Sequence, residues 1–162
     1  MSLPLISIVT PTYNQEAFLP DTLKSVIAQE YPSLQHVVVD AMSSDSTPSI
    51  LGHYAPSYEV TIIREADRGQ SDGINKGMRS ARGEFVSWLN SDDFLAPGAL
   101  FAVAKAFGEN PNAVAVFGVG ALVDRQGVLR RHVPFRSFQP SRLKTAFEYV
   151  QPATFYRRSA WQ

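Results

Sequence analysis

The stretch EFVSWLNSDDFLAPG, residues 84–98, joins an apolar run to a cluster of polar side chains. Its first part, residues 85–89, has the length and the composition of a buried β-strand. The run ends abruptly at residues 90–93, Asn-Ser-Asp-Asp, and apolar character resumes at Phe94. Two adjacent carboxylates repel each other and resist the loss of water. The stretch therefore predicts a strand end that faces a compensating partner, such as a cation.

Three further apolar runs lie upstream, separated by segments with helical signals. The runs LISIVTPTYN, QHVVVDA and EVTIIRE are short and contain many β-branched residues, which is typical of buried strands. A first helix is predicted over residues 18–29 and a third within residues 66–84. Between them, a second helix is predicted to begin with Thr47 as its N-cap and Pro48 as its first residue. One more helix is predicted within residues 97–110.

The last third of the chain continues the same pattern. Residues 113–124 read AVAVFGVGALVD and predict one long strand, bent at its glycines. A turn at 125–127 leads into the apolar and basic run 128–133, a short helix is expected around 141–149, and a strand near 154–156. Alternating strands and helices predict an α/β fold, with a mostly parallel, Rossmann-like sheet sandwiched by helices.

Composition limits the classes of function. The 162 residues form a single predicted domain, 1–162, and 15 Lys and Arg balance 15 Asp and Glu, so the chain has no electrostatic footprint for nucleic acid. It contains no cysteine, which excludes disulfides and thiolate metal sites. No apolar run approaches the roughly 20 residues that span a bilayer, and no signal peptide is evident. The chain ends at RRSAWQ without a closing segment, so a domain that is incomplete at its C-terminus is expected.

Acidic residues follow each of the first four predicted strands. In open α/β sheets, ligands bind outside the carboxyl ends of the strands. The acids are Glu16 after the first strand, Asp40 after the second, Glu65 and Asp67 after the third, and Asp92 and Asp93 after the fourth. Such a convergence indicates a site for a cation, for hydroxyl groups, or for both. Oxygen ligands suit Mg²⁺ or Mn²⁺, which would neutralise a diphosphate leaving group.

Four motifs in order resemble a known family. They are P-T-Y-N at 11–14, the strand-end Asp40, D-R-G at 67–69 followed by N-K-G at 75–77, and N-S-D-D at 90–93. Together they resemble the family 2 glycosyltransferases of the GT-A fold, and within them the bacterial O-antigen and capsule enzymes. The resemblance is strong over the first two-thirds of the chain and weaker towards QPATFYRRSAW.

The resemblance implies a function and a set of partners. It implies metal-dependent, inverting transfer of a sugar from a nucleotide-diphosphate donor, most often a UDP-sugar, to an acceptor hydroxyl in bacterial surface polysaccharide biosynthesis. The acceptor would be a saccharide or a lipid-linked saccharide, and no nucleic acid would bind. The expected location is cytoplasmic, with peripheral association at the inner membrane as an option. The sequence does not indicate an oligomeric state.

The resemblance also places the site residue by residue. The nucleotide-sugar would be bound by Thr10, Pro11, Tyr13, Glu16, Asp40, Asp67, Asn90 and Ser91. The metal, Mn²⁺ or Mg²⁺, would be held by Asp92, with Asp93 as the second candidate. Asn90 stands where the family more often has an acid, and Ala41 and Met42 stand where it usually has glycine. The catalytic base of the family lies further downstream and would fall beyond Gln162, so none is assigned.

Simpler roles remain open for several of these residues. Asp92 and Asp93 could cap the next helix, Asp40 could hold only its own turn, and Tyr13 could be a packing aromatic. Asp72, Asn75 and Lys76 are expected on a helix surface or as organisers of the loop before it, and Arg68 could pair with Glu65 or Asp67. His36, His53 and His132 lack the spacing of metal ligands.

Two other functions remain as alternatives. The first is a truncated sugar-nucleotide-binding module without catalysis. The second is another α/β nucleotide-binding enzyme, such as a nucleotidyltransferase. Such enzymes usually carry a glycine-rich phosphate loop after the first strand, and TPTYNQE at 10–16 has no glycine.

Overall fold

The computed structural model describes residues 2–133 and 149–161. These residues form eight strands: β1 Ile6–Thr12, β2 Leu34–Asp40, β3 Val60–Arg64, β4 Phe85–Trp88, β5 Ala115–Phe117, β6 Gly120–Val123, β7 Leu129–Val133 and β8 Thr154–Arg157. Four α-helices alternate with them: α1 Leu19–Ile27, α2 Thr47–Tyr54, α3 Gln70–Ser80 and α4 Ala99–Glu109. Short 3-10 turns cover Ala55–Ser57, Gln151–Ala153 and Arg158–Ala160.

The main sheet has six strands in the order β3-β2-β1-β4-β8-β5. The first four run parallel, which confirms the prediction of a mostly parallel sheet. β8 is inserted antiparallel between β4 and β5, with Phe85 opposite Arg157. Because β8 runs in the opposite direction, its amino end lies at the edge where β1 to β4 have their carboxyl ends. The turn Gln151–Ala153 is thereby brought to that edge.

The helices cover both faces of the sheet. On one face, α1 and α4 pack their apolar sides against Ile6, Ile8 and Phe85, and α1 and α2 cover Val38. On the other face, α3 packs Ile74 and Met78 over the valines of β1 and β2. α3 can approach closely because Gly77 has no side chain: a Cβ there would lie 2.3 Å from Val9 Cγ1.

The predicted long strand at residues 113–124 is wrong in one respect. The structure divides it into β5, in the main sheet, and β6, which pairs only with β7 in a separate two-stranded sheet. The chain leaves the main sheet at Gly118, whose N–H donates to Ala153 O at 2.7 Å. Gly120 then packs against Val150, where a Cβ would lie 2.5 Å from Val150 Cγ1. Gly118 and Gly120 thus allow the chain to pass close to Ala153 and Val150. The glycines mark the point where β5 ends and the chain moves to a second sheet, and not a bend within one strand.

The remaining local predictions are mostly confirmed. The turn after Asp124 and the strand near 154–156 are present, the latter as β8. Helix α2 begins at Thr47 itself, with Ser46 as its N-cap, so Thr47 is not the cap that the sequence predicted. The Thr47 hydroxyl instead accepts a hydrogen bond from Gln15 N at 3.0 Å. The predicted helix at 141–149 lies almost wholly outside the described residues.

No helix within residues 2–133 and 149–161 has the length and the apolar character that a membrane span requires.

A buried histidine predicts how stability depends on pH. His36 is fully buried between the hydroxyls of Thr10, at 2.9 Å, and Tyr58, at 2.7 Å, and burial lowers its pKa to about 3. The unfolded chain, with a histidine pKa near 6.5, therefore takes up a proton that the folded chain excludes. We expect the free energy of unfolding to fall by up to roughly 4 kcal/mol from this residue as pH drops from about 6.5 to about 3.

Urea unfolding at several pH values checks this expectation. His36→Gln cannot gain a proton and should lose less stability on acidification than the wild type does. His53→Gln is the matched control, because His53 is exposed near the end of α2. Equal pH slopes for the two variants would contradict the assignment of acid sensitivity to His36.

Candidate functional site

A cavity of about 600 Å³ lies at the carboxyl ends of the parallel strands. It is lined by Pro11, Thr12, Tyr13, Gln15, Ala41, Ala66, Asp67, Gly69, Gln70, Asn90, Ser91 and Asp92. Six of the residues predicted from the sequence therefore meet at one place: Pro11, Tyr13, Asp67, Asn90, Ser91 and Asp92. Thr10, Glu16, Asp40 and Asp93 do not line the cavity.

The loop after β1 is held by the segment that leads into α2. Asn14 N donates to Ser43 Oγ at 2.9 Å, and Glu16 N donates to Asp45 Oδ2 at 3.0 Å. In return, the Glu16 carboxylate accepts a hydrogen bond from Ser46 N at 2.8 Å. Glu16 thus fastens two loops together, and its predicted contact with a nucleotide stays a prediction. Tyr13, in the same loop, is 60% exposed, which does not favour the role of a packing aromatic considered above.

Asp40 and Thr12 form a pair of buried oxygens beside the cavity. They are register partners at the ends of β2 and β1. Asp40 Oδ1 accepts from Ser43 N at 2.9 Å, which is the turn contact expected of a strand-end Asp. Arg64 Nε lies 3.1 Å from Asp40 Oδ2 but is not aligned for a hydrogen bond. Asp40 Oδ2 and Thr12 Oγ1 therefore lack hydrogen-bond partners, and buried polar atoms in that state are rare.

The loop from Glu65 to Asp72 is organised by Lys76. The Lys76 ammonium donates to Ala66 O and lies 3.2 Å from Glu65 Oε1 and 3.7 Å from Asp72 Oδ2. Asp72 Oδ2 accepts from Arg68 N at 3.1 Å, and this hydrogen bond, with the charge of Lys76, lowers the pKa of Asp72. Of the two roles considered for Asp72 and Lys76, the structure supports that of loop organiser.

Asp67 and Arg68 occupy this loop in different ways. Asp67 Oδ1 accepts from Gly69 N at 2.9 Å, and the residue lines the cavity. The Arg68 side chain is 91% exposed, and its recorded ion pair is with Asp72, at 3.9 Å. The pairing of Arg68 with Glu65 or Asp67 considered from the sequence is therefore not observed. Gly69 has a φ of 114°, which favours glycine at the start of α3.

The two adjacent acids that end the fourth strand segment have different surroundings. Asp92 is exposed at the cavity. Asp93 is half-buried, and burial together with the neighbouring Asp92 charge raises its pKa. Neither caps α4, because the N-cap of that helix is Gly98 and it has no side-chain cap. The helix-capping alternative is therefore wrong for both residues.

Two glutamines at the cavity edge were not expected from the sequence. Gln70 Nε2 donates to Asn90 Oδ1 at 2.8 Å, and Asn90 Nδ2 donates to Gln151 Oε1 at 3.1 Å. Gln151 reaches this edge only because β8 pairs antiparallel with β4, and no local pattern reports that pairing. No cluster of three or more His, Cys, Asp or Glu residues suited to a metal occurs in the part of the chain that the structure describes.

The mixed sheet with a cavity at its parallel strand ends defines a domain of the GT-A fold, shared with the solved glycosyltransferases described below. The chain belongs to the family "Glycosyl transferase family 2", whose model matches residues 7–162. The resemblance to family 2 glycosyltransferases that the four motifs indicate is thereby confirmed.

Two relatives by sequence are named as a biosynthetic glycosyltransferase and as a synthase. The "PGL/p-HBAD biosynthesis glycosyltransferase" of Mycobacterium bovis BCG is 33% identical over 164 residues, covering 98% of this chain and 61% of the relative. The "Poly-beta-1,6-N-acetyl-D-glucosamine synthase" of Staphylococcus epidermidis is 29% identical over 125 residues, covering 76% of this chain and 30% of the relative. The chain thus spans less than two-thirds of the length of these proteins.

Two solved structures share the fold. A mannosyltransferase from Pyrobaculum calidifontis, in complex with GDP-Man and Mn²⁺, aligns with a TM-score of 0.64 and 28% identity over 72% of this chain and 36% of that chain. S. aureus TarS 1–349, in complex with UDP-GlcNAc, aligns with a TM-score of 0.75 and 23% identity over 96% of this chain and 46% of that chain.

Proposed function

We propose that the protein transfers a sugar from a nucleotide-diphosphate donor, a UDP-sugar, to an acceptor hydroxyl during the synthesis of a bacterial surface saccharide. The observation that carries the proposal is the cavity at the strand ends, which gathers an exposed aromatic ring, amide groups and the Asp92 carboxylate. Family membership and the names of the relatives support the reaction class. Inversion of the anomeric centre is part of the proposal by family resemblance.

Two buried oxygens beside the cavity that lack hydrogen-bond partners, Asp40 Oδ2 and Thr12 Oγ1, support a nucleobase site. Uracil presents one imide N–H donor between two carbonyl acceptors. Asp40 Oδ2 can accept from such an N–H, and the Thr12 hydroxyl can donate to a carbonyl. Tyr13, exposed on the cavity wall, offers a ring face for stacking. Thr12 was not predicted from the sequence as a site residue. We include it in the proposed nucleobase site because it lies opposite Asp40.

The acidic residues that follow β4, Asp92 and Asp93, fit a divalent metal that would bind together with the diphosphate. Mg²⁺ and Mn²⁺ are usually held by one or two carboxylates and complete their shell with phosphate oxygens and water. Asp92 supplies one exposed carboxylate at the cavity, and Asp93 lies beside it. Bound there, the metal would neutralise the negative charge that develops on the departing diphosphate.

The chain's own residues would orient the donor. In this proposal Pro11 and Tyr13 would border the base, and Asp67 and Ser91, which also line the cavity, would contact the sugar and diphosphate. By family resemblance, the acceptor would be a saccharide or a lipid-linked saccharide. No residue is proposed as the base that deprotonates the acceptor hydroxyl.

Calorimetric titration with UDP, GDP and dTDP, each with and without Mn²⁺, tests the proposal. We expect UDP to bind with the highest affinity and its binding to weaken when EDTA removes the metal. Equal or absent binding of all three nucleotides would overturn the proposal. Hydrolysis or transfer assays with UDP-sugars then separate a catalytic domain from a binding module.

A substitution at Gly73 tests the position of Asp67. A Cβ at Gly73 would lie 2.9 Å from Asp67 Oδ2 and 3.5 Å from Pro11 Cβ, so Gly73→Ala must displace the Asp67 carboxylate. We expect UDP–Mn²⁺ affinity to fall by about fivefold, equivalent to about 1 kcal/mol, while the helix itself gains propensity. Gly52→Ala is the matched control, since a Cβ at Gly52 of α2 meets nothing within 4 Å. An unchanged affinity in Gly73→Ala would contradict a donor site at Asp67.

A further inference from the structure

The Asn90 side chain uses both of its polar atoms in hydrogen bonds to three different segments. Its Oδ1 accepts from Gln70 Nε2, at 2.8 Å, at the start of α3. Its Nδ2 donates to Asp93 Oδ2, at 3.1 Å, within its own loop, and to Gln151 Oε1, at 3.1 Å, in the turn before β8. Asn90, the first residue of the N-S-D-D segment, therefore has both polar atoms of its side chain in hydrogen bonds to other residues of the protein.

The direction of these hydrogen bonds is fixed by groups that can only accept. Gln151 Nε2 donates to the backbone carbonyl of Trp88 at 2.7 Å, so Gln151 Oε1 must face Asn90. Gln151 Oε1 can only accept, so Asn90 Nδ2 must face Gln151, and the same Nδ2 also donates to Asp93 Oδ2. A carboxylate at position 90 could make neither donation, and it would stand beside Asp93. The network thus requires an amide at residue 90.

We propose that Gln151 is a positioning residue for the donor site: through Asn90 it holds the loop that carries Asp92 and Asp93 against β4 and α3. This inference rests on the proposed function. Asn90 Oδ1 accepts a hydrogen bond from Gln70, and Asp92 is the exposed carboxylate at the cavity. Gln151 anchors the arrangement because its other end is fixed to Trp88 in β4.

Gln151→Glu tests this role because the two side chains have the same shape. A protonated Glu can still donate to Trp88 O and accept from Asn90 Nδ2. An ionised Glu cannot donate, and its charge repels the Trp88 carbonyl. We therefore expect the variant to bind UDP–Mn²⁺ about tenfold more weakly than the wild type at about pH 8, and this loss to become smaller as the pH falls towards the pKa of the introduced glutamate.

The comparison is made as the ratio of variant to wild-type affinity at each pH, because UDP and Mn²⁺ binding change with pH in any protein. Gln126→Glu, in the exposed turn between β6 and β7, is the matched control and should show a ratio near one throughout. A double-mutant cycle adds an independent measurement: Asn90→Ala and Gln151→Ala should each weaken binding, and the double variant should be little weaker than either.

Each outcome decides the inference. A ratio for Gln151→Glu well below one at about pH 8, with a control near one and a non-additive cycle, supports the positioning role. A ratio near one at all pH values, or additive losses, overturns it while the proposed function stands. Absence of UDP–Mn²⁺ binding by the wild type overturns the proposed function, and the positioning role fails with it.

Discussion

Asp92→Asn is expected to weaken UDP binding in the presence of Mn²⁺ by about 100-fold, roughly 3 kcal/mol, and to abolish most of the effect of the metal. Asp92 is the exposed carboxylate of the cavity, since Asp93 is half-buried and accepts a hydrogen bond from Asn90. Replacement by Asn removes a negative charge and leaves an amide oxygen, which is a weaker ligand for a hard cation. Calorimetry with UDP, with and without Mn²⁺, measures both effects.

The control for this substitution is the same Asp-to-Asn change at an exposed position outside the cavity. Asp21→Asn makes the same change on the exposed side of α1, where Asp21 contacts Lys24. It should leave UDP binding and its dependence on Mn²⁺ unchanged. If Asp92→Asn binds UDP–Mn²⁺ as the wild type does, the assignment of the metal to the N-S-D-D segment is wrong. A cooperative unfolding transition in both variants shows that any loss comes from the site.

Gly77→Val is expected to reduce the free energy of unfolding by about 3 kcal/mol, the largest stability effect among the substitutions considered. A Cβ at Gly77 would lie 2.3 Å from Val9 Cγ1 and 3.1 Å from Val39 Cγ2, and both valines are fully buried. Short branched side chains in a packed core cannot move aside, so α3 would be displaced from the sheet. Because α3 carries Gln70 and Gly73, UDP binding should weaken as well.

Urea unfolding measures the stability of Gly77→Val against Gly52→Val. The control introduces the same β-branched residue into a helix, at an exposed position where a Cβ meets nothing within 4 Å. Because valine has a somewhat higher helix propensity than glycine, this variant should keep the stability of the wild type or gain about 0.5 kcal/mol or less. Equal unfolding midpoints for the two variants would show that α3 does not lie on β1 and β2 as closely as the structure has it.

The alternation of apolar runs was sufficient to predict the class of fold, because β1 to β4 and their helices are local patterns. The antiparallel insertion of β8 was not predictable, since it depends on a pairing of residues that are far apart in sequence. The division of residues 113–124 was missed for a related reason. Gly118 and Gly120 indicate a bend, but only the contacts with Ala153 and Val150 show where the chain goes.

The candidate site was predicted in outline and not in its contacts. The rule that ligands bind at strand ends brought Pro11, Asp67 and Asp92 to one cavity. It did not separate the acids that face the cavity from those that hold loops. The turn contact of Asp40 with Ser43 N was anticipated, but the bond of Glu16 to Ser46 N joins residues 30 positions apart and no local pattern indicates it.

The position of β8 has a consequence for how the chain assembles. Among the described strands, β5 finds its only neighbour in the main sheet in β8, which is made much later in the chain. Until β8 has been synthesised, the backbone groups of β5 and of the outer edge of β4 therefore remain unpaired. The neighbouring core is also incomplete, because it lacks Phe155 of β8. Exposed strand edges of this kind promote association between unfinished chains. Pairing over such separations is also slow, so the last strand, rather than the first four, should limit the rate of folding.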